Sequence, residues 1–150
     1  MRIRVSGLIV REGQVALVEF RDDKKGIHYD LPGGGLESNE ALHEGVRREC
    51  REEIGCEVDV GRLLLVTEYF PARDGGTYSD QPTLDLIFEC VLLAEQEPHL
   101  PEIPDEDQIG AKWMPLATLA QHTFKPEVAA VLLARLRSQM SDGLWLDGWR

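Results

Sequence analysis

Three consecutive glycines, Gly33–Gly35, stand just before a stretch whose apolar residues repeat with helical spacing. A glycine triplet extends neither a strand nor a helix cheaply, because glycine loses more backbone freedom on folding than any other residue. The same lack of side chains lets the backbone approach a ligand closely. The helical stretch ends at Gly55, which suits the left-handed position that follows a helix. The sequence therefore predicts a ligand-approaching loop that leads into one helix.

Polar residues predict where this helix begins, and apolar residues predict which side is buried. Ser38 or Asn39 can cap the helix, and Glu40 then falls in the first turn, where the helix dipole favours an anion. Residues four apart lie on one face of a helix. The apolar residues with this spacing are Leu42, Val46 and Cys50. We expect this stripe to pack against the core.

Glu49, Glu52 and Glu53 fall within roughly 100° of one another around the predicted helix. Glu49 and Glu53 repel each other, and all three lie near the helix C-terminus, where the dipole disfavours anions. Because they flank the apolar stripe, we expect Glu49 and Glu53 to be partly buried. An arrangement that costs stability suggests a compensating cation, and oxygen ligands favour Mg²⁺ or Mn²⁺. The alternative is a solvated helix face on which the glutamates pair with neighbouring arginines.

Residues 34–56 carry fixed residue types at fixed spacing. Gly34 is followed by Glu40, then by Arg48 and the three glutamates, and the segment closes on Gly55 and Cys56. This pattern resembles the Nudix box, G-x5-E-x7-R-E-U-x-E-E-x-G-U, where U is a bulky apolar residue; every fixed letter matches, and cysteine occupies both U positions. The resemblance implies an α/β fold, the Nudix-type α/β/α sandwich with a mixed central sheet, and a Mg²⁺-dependent pyrophosphohydrolase.

The resemblance also implies a metal site. Glu49, Glu52 and Glu53 are the expected ligands of Mg²⁺, with Mn²⁺ as a substitute, together with the carbonyl of Gly33. Glu49 or Glu52 is then the base that takes the proton of the attacking water.

Other positions of the box are expected to support this site. Glu40 and Arg48 orient the glycine loop against the helix, and Arg48 can also pair with Glu52 at i,i+4. Such a contact would hold a ligand carboxylate in place. Gly34 and Gly55 are expected to have structural roles.

Residues outside the box are weaker candidates. Some family members take their base from a loop, and Glu106 and Asp107 lie on an acidic loop of this kind, although a solvated loop explains them as well. The candidates for substrate contact are Arg21, Arg73 and Lys125, which could bind phosphate, and Tyr78, which could stack on the nucleobase. For each of these the alternative is an ordinary surface charge or packing residue.

The substrate class is left open by the sequence. Pro71 stands near a position where ADP-ribose pyrophosphatases of the family carry a proline, in a turn-rich loop over residues 71–82. Nucleotide sugars and nucleoside triphosphates are equally compatible with the chain. The alternative from another class is a non-catalytic nucleotide-binding regulatory module on the same fold.

The rest of the chain is predicted to alternate strands with helices in one domain, residues 1–150. The predicted strands are residues 2–10, 14–20, 27–31, 57–70, 83–94 and 111–114, and the further helices are 115–120 and 126–139. The aromatic tail, residues 143–150, is interpreted as a terminal strand, an oligomer contact or a lid. A homodimer is compatible with the sequence.

Composition narrows the class of partner. A net charge of −11 argues against binding of long nucleic acids and leaves a small nucleotide as the expected partner. Apolar runs are too short for a signal peptide or a membrane span, so no membrane partner is expected. The three cysteines, Cys50, Cys56 and Cys90, lack zinc-ligand spacing and indicate a reduced, cytoplasmic protein.

Overall fold

The structure, a computed structural model, describes residues 1–76 and 79–123 of the chain. Seven strands and three helical segments occupy these residues. The strands are β1 (Arg2–Arg11), β2 (Gln14–Asp22), β3 (Gly26–Asp30), β4 (Gly33–Gly35), β5 (Val58–Tyr69), β6 (Thr83–Leu92) and β7 (Gln108–Pro115). The helical segments are α1 (Leu42–Ile54), α2 (Pro71–Asp74) and a 3₁₀ helix (Leu116–Gln121). The elements predicted within the described residues are present, with ends that shift by a few residues.

The strands form one mixed sheet. Its order is β3-β2-β1-β6-β5, with β4 paired to β1 and β7 paired to β2. Strands β1 and β6 run parallel, which places Arg4 opposite Asp85, and the other strand pairs of the described residues are antiparallel. The α/β class with a mixed central sheet is therefore confirmed.

Alternation along the strands divides the core in two. In β1, Val5 and Ile9 face the side that α1 covers, whereas Leu8 faces the opposite side, because successive side chains of a strand point to opposite faces. The helix residues buried against the first side are Val46, Cys50 and Ile54. Leu42, predicted to belong to this stripe, is 37% exposed, so the buried stripe begins one turn later.

The glycine triplet departs from its predicted irregular conformation. Gly33–Gly35 is a short strand that pairs with β1, with Gly34 opposite Val5. A methyl group on Gly33 would overlap the side chain of Ser6, and one on Gly34 would overlap the carboxylate of Glu49. Close approach from both sides therefore requires glycine here, although the backbone is extended.

Helix α1 begins later than predicted. Ala41 is the N-cap residue, so neither Ser38 nor Asn39 caps the helix, and Glu40 lies outside the first turn. The predicted caps are wrong because the chain turns before it enters the helix.

That turn has its own hydrogen bonds. Asn39 adopts a left-handed φ of 64°, and the N–H of Glu40 donates to the carbonyl of Glu37 over 3.3 Å. The carboxylate of Glu44 accepts the N–H of Ala41 over 3.0 Å, which is one of the two hydrogen bonds of a capping box.

The C-terminus of α1 ends as predicted at Gly55. Its φ of 68° is left-handed, and its N–H donates to the carbonyl of Arg51 over 3.2 Å. The imidazole of His99 lies directly over the α carbon of Gly55. The helix end is thus closed by a conformation that favours glycine and covered by the loop that follows β6.

Several predictions concern residues outside the described ranges. These are the helix over 126–139, the tail over 143–150, and the side chains of Tyr78 and Lys125. Within the described residues, none of the helices has the length and apolar composition that crossing a membrane requires.

Replacing Gly55 by alanine should cost more stability than the same change at Gly13. Both glycines have left-handed φ angles, 68° and 75°, and an L residue in that region costs roughly 1–2 kcal/mol. Only at Gly55 would the new methyl group also displace His99, since open space surrounds Gly13. Urea unfolding should therefore show a loss for Gly55→Ala that exceeds the loss for Gly13→Ala by about 1 kcal/mol. Equal losses would show that His99 does not pack on the helix end.

Candidate active site

The glycine strand and the last turns of α1 bring two buried carboxylates together. Glu53 is 4% exposed and Glu49 is 7% exposed. One carboxylate oxygen of Glu53 accepts the N–H of Gly33 over 3.2 Å. The side chains of Glu49 and Glu53 also lie within hydrogen-bonding reach of each other. Both are buried more deeply than the partial burial that the sequence predicts.

Glu52 differs from the two buried glutamates. Its side chain is 58% exposed. One guanidinium nitrogen of Arg48 contacts both kinds of carboxylate, at 2.6 Å from Glu49 and 3.2 Å from Glu52. The structure thus places the three glutamates along one side of α1, two of them buried and one exposed.

Arg48 also joins the helix to the loop that precedes it. Its guanidinium donates to the carboxylate of Glu40 over 2.7 Å and 3.0 Å and to the carbonyl of Gly35 over 3.1 Å. Glu40 raises the pKa of Arg48 most strongly, and Glu49 adds to this effect. Through these bonds Arg48 connects α1 to Glu40 and to the glycine strand.

The electrostatics of the buried pair are unfavourable in the absence of a cation. Burial holds the pKa of Glu53 well above its usual range, and the nearby carboxylates of Asp30 and Glu49 raise it further. The positive charge of Arg4 opposes these effects. A buried carboxylate with a raised pKa is a site where an added positive charge would be favourable.

A buried ionic network next to this pair was not predicted. Arg4 lies 2.9 Å from Asp30 and 3.3 Å from Asp85, and the hydroxyl of Ser6 donates to Asp85 over 2.9 Å. Burial raises the pKa of Asp85, and Arg4 and Ser6 oppose that rise. The signal in the sequence was a charge within each of two apolar strands, at Arg4 and at Asp85, but only the parallel register shows that they meet.

The donor set fits a hard divalent cation. Within the described ranges, no group of three or more Asp, Glu, His or Cys side chains is close enough together, in the conformations observed, to bind a metal ion. Glu49 and Glu53 nevertheless offer adjacent carboxylate oxygens beneath a glycine backbone, which is the oxygen chemistry that Mg²⁺ and Mn²⁺ prefer. Glu52, exposed on the same side of α1, is the third carboxylate that could join them.

Arg21 lies beside the acidic turn, which is the part of the acidic loop formed by residues 105–107. Arg21, Glu106 and Asp107 line one cavity of about 520 Å³ with residues 22–25. The N–H of Arg21 donates to the carbonyl of Asp107 over 2.9 Å. The structure thus places the weakly predicted loop acids beside one of the predicted phosphate ligands.

Arg73 is held within its own segment. Its guanidinium donates to the carboxylate of Asp74 over 2.8 Å and to the carbonyl of Glu68 over 3.1 Å, and it lies over the ring of Phe70. Pro71 is at the first turn of α2, a position that suits proline. Both residues therefore have local structural explanations.

Removing the charge of Glu53 should stabilise the metal-free protein near neutral pH. Its pKa in the folded state is raised above the ordinary value of 4.5, so the folded state binds a proton more tightly than the unfolded state does. The associated stability is complete below that ordinary value and is lost as the pH rises through the folded-state pKa. Glu53→Gln should therefore gain about 1 kcal/mol for each unit of the shift at high pH, and the gain should vanish on acidification.

This comparison requires chelator and urea unfolding at several pH values. Glu52→Gln is the matched control, because its side chain is mostly exposed, and its stability should follow that of the wild type. A Glu53→Gln protein that is less stable than the wild type at neutral pH would contradict the electrostatic account.

Known proteins are similar to this chain in sequence or in fold. The NUDIX domain family model matches residues 1–136. A nucleoside triphosphatase NudI from Escherichia coli O139:H28 is 36% identical over 103 residues, covering 60% of this chain and 68% of that protein. Two solved structures have the same fold at 18% identity: a NUDIX hydrolase from Nitrosomonas europaea, with a TM-score of 0.75 over 99% of this chain and 95% of that one, and an ADP-ribose pyrophosphatase from Streptococcus suis, with a TM-score of 0.67 over 99% and 96%. The chain belongs to the Nudix hydrolase family.

Proposed function

We propose that the chain is a single catalytic domain, residues 1–150, that uses Mg²⁺, or Mn²⁺ in its place, to hydrolyse the diphosphate linkage of a small nucleotide. The observation that carries this proposal is the buried pair Glu49 and Glu53 against the glycine strand. Burying one carboxylate costs several kcal/mol unless it is compensated. A cation bound between these oxygens gives the arrangement a function.

Several residues around the site would take part in binding the cation. Glu49, Glu53 and the carbonyl of Gly33 would hold the cation, and Glu52 would complete its ligands. When bound, the cation neutralises phosphate oxygens and lowers the pKa of a water molecule. Arg48 keeps the carboxylate of Glu49 in place at 2.6 Å and contacts the more exposed carboxylate of Glu52 over a longer distance, 3.2 Å.

Proton transfer is the second task of the site. The water oxygen bonds to phosphorus, its proton passes to a carboxylate oxygen, and the bond between phosphorus and the bridging oxygen breaks. Glu52 is our proposed base, because its exposed carboxylate is the least committed of the three. Glu49 is the alternative within the box, and Glu106 or Asp107 is the alternative from the acidic turn.

Nucleoside triphosphates are the substrate class that we propose first. The support is the Escherichia coli relative, named as a nucleoside triphosphatase, at 36% identity. Pro71, which favoured ADP-ribose, is explained by its place in the first turn of α2. Arg21 is the phosphate contact best placed for this role, beside the acidic turn. The roles of Arg73, Tyr78 and Lys125 stay predictions.

We also propose that the protein acts in the cytoplasm. Its cysteines, Cys50, Cys56 and Cys90, are all free and buried, which suits a reducing compartment. The proposed partner is the nucleotide alone, and the homodimer stays a prediction.

Turnover should require both a divalent cation and Glu52. Release of the nucleoside monophosphate, the product common to all three classes, would be measured on nucleoside triphosphates, ADP-ribose and nucleotide sugars, with Mg²⁺ or with chelator. Glu52→Gln should lower kcat by about 100- to 10,000-fold, the range for loss of a general base. Glu57→Gln is the matched control, because Glu57 is an exposed glutamate that pairs with Arg51.

The outcomes separate the alternatives. Release from triphosphates alone supports the proposed substrate class, whereas release from ADP-ribose or nucleotide sugars replaces it. A loss that appears in Glu106→Gln or Asp107→Asn instead of Glu52→Gln moves the base to the acidic turn. The absence of turnover on the whole panel with Mg²⁺ would favour the non-catalytic module.

A further inference from the structure

Gln108 is a buried amide that lies between α1 and the acidic turn. It is the first residue of β7, is 6% exposed, and pairs with Phe20 of β2. The acidic turn, residues 105–107, immediately precedes the strand. Neither the Nudix box nor the periodicity of the strands draws attention to this glutamine.

Both the oxygen and the nitrogen of the Gln108 side-chain amide form hydrogen bonds. Its Nε2 donates to the backbone carbonyl of Glu53 over 2.7 Å, and its Oε1 accepts the N–H of Asp105 over 3.3 Å. A carbonyl can only accept and an N–H can only donate, so these two partners fix the orientation of the amide. Gln108 is therefore a bridge between a residue of the metal site and the acidic turn.

The hydrogen bond from Gln108 satisfies the backbone carbonyl of Glu53, one of the carbonyls at the C-terminal end of α1. The carbonyls of Cys50, Arg51 and Ile54 accept backbone N–H groups of Cys56, Gly55 and His99. The carbonyl of Glu53 accepts a side chain instead, that of Gln108. Because the N–H of Gly33 holds the Glu53 carboxylate, Glu53 is fixed at both its backbone and its side chain.

The acidic turn is held in a strained conformation. Asp107 has a left-handed φ of 67°, which a residue with a side chain rarely adopts. Its carbonyl accepts the N–H of Arg21, and the N–H of Gln108 donates to the carbonyl of Asp105 over 3.0 Å. Strain of this kind persists only where surrounding contacts impose it. Gln108 contributes the contact that comes from α1.

We propose that Gln108 is a positioning residue, which fixes Glu53 as a metal ligand and holds the acidic turn at a set position relative to α1. This inference rests on the proposed function, because it needs a metal site at Glu49, Glu52 and Glu53. The residue does not touch the substrate. Its loss should weaken metal binding and lower kcat while KM for the nucleotide changes little.

The test compares Gln108→Glu with Gln96→Glu in the full chain. Glutamate keeps the size of glutamine and its acceptor oxygen but loses the donor. Gln96 is the matched control, because its side-chain amide also makes two hydrogen bonds to the backbone just after α1. Its Nε2 donates to the carbonyl of Glu57 over 2.9 Å, and its Oε1 accepts the N–H of Glu57 over 2.8 Å. Mn²⁺ binding would be followed by measuring free Mn²⁺ with electron paramagnetic resonance. The values of kcat and KM would be determined at saturating metal.

The expected result is Mn²⁺ binding about 10- to 100-fold weaker in Gln108→Glu, the range for loss of a group that orients metal ligands, with a lower kcat and a KM within about twofold. Gln96→Glu should bind Mn²⁺ as the wild type does. If the buried charge unfolds Gln108→Glu, Gln108→Met removes both bonds without adding a charge and should weaken Mn²⁺ binding in the same way.

Two contrary results differ in meaning. A wild-type chain that binds Mn²⁺ and turns over nucleotide, with Gln108 variants that match Gln96→Glu, would overturn the role of Gln108 alone. A wild-type chain that neither binds Mn²⁺ nor turns over nucleotide would overturn the proposed function and this role with it.

Discussion

The rest of the site depends on the burial of two neighbouring carboxylates, Glu49 and Glu53, at the end of α1. Removing an ion from water costs several kcal/mol, far more than the few tenths that separate like charges on an exposed helix. The protein offsets this cost from two sides. Arg48 bonds Glu49 from the helix surface, and Arg4 acts on both glutamates from the sheet. The glycine strand can lie against the carboxylate of Glu49 because Gly34 has no side chain that would displace it.

Local features were predictable, and features that depend on chain pairing were not. Gly55 could be placed at the helix end because a left-handed position favours glycine whatever surrounds it. The N-cap at Ala41 was missed, because a turn between Glu37 and Glu40 competes with Ser38 and Asn39 for the helix start.

Contacts between residues that are distant in the sequence could not be predicted from it. Arg4 meets Asp85 only because β1 and β6 run parallel in one register. Gln108 reaches Glu53 across 55 positions of the sequence. The box therefore predicted the carboxylates, whereas the groups that neutralise and fix them follow from the fold. The site combines two buried carboxylates, one exposed carboxylate on the same helix, and an acidic turn that Gln108 connects to that helix.

The central claim is that the buried carboxylates exist to bind a divalent cation, and thermal unfolding with and without Mn²⁺ tests it most directly. A cation that binds only the folded chain stabilises it by about 2.7 kcal/mol at a concentration 100 times its Kd. For a chain of this size we predict a rise in Tm of roughly 5–10 °C at neutral pH. A Tm that does not rise with Mn²⁺ would contradict the account.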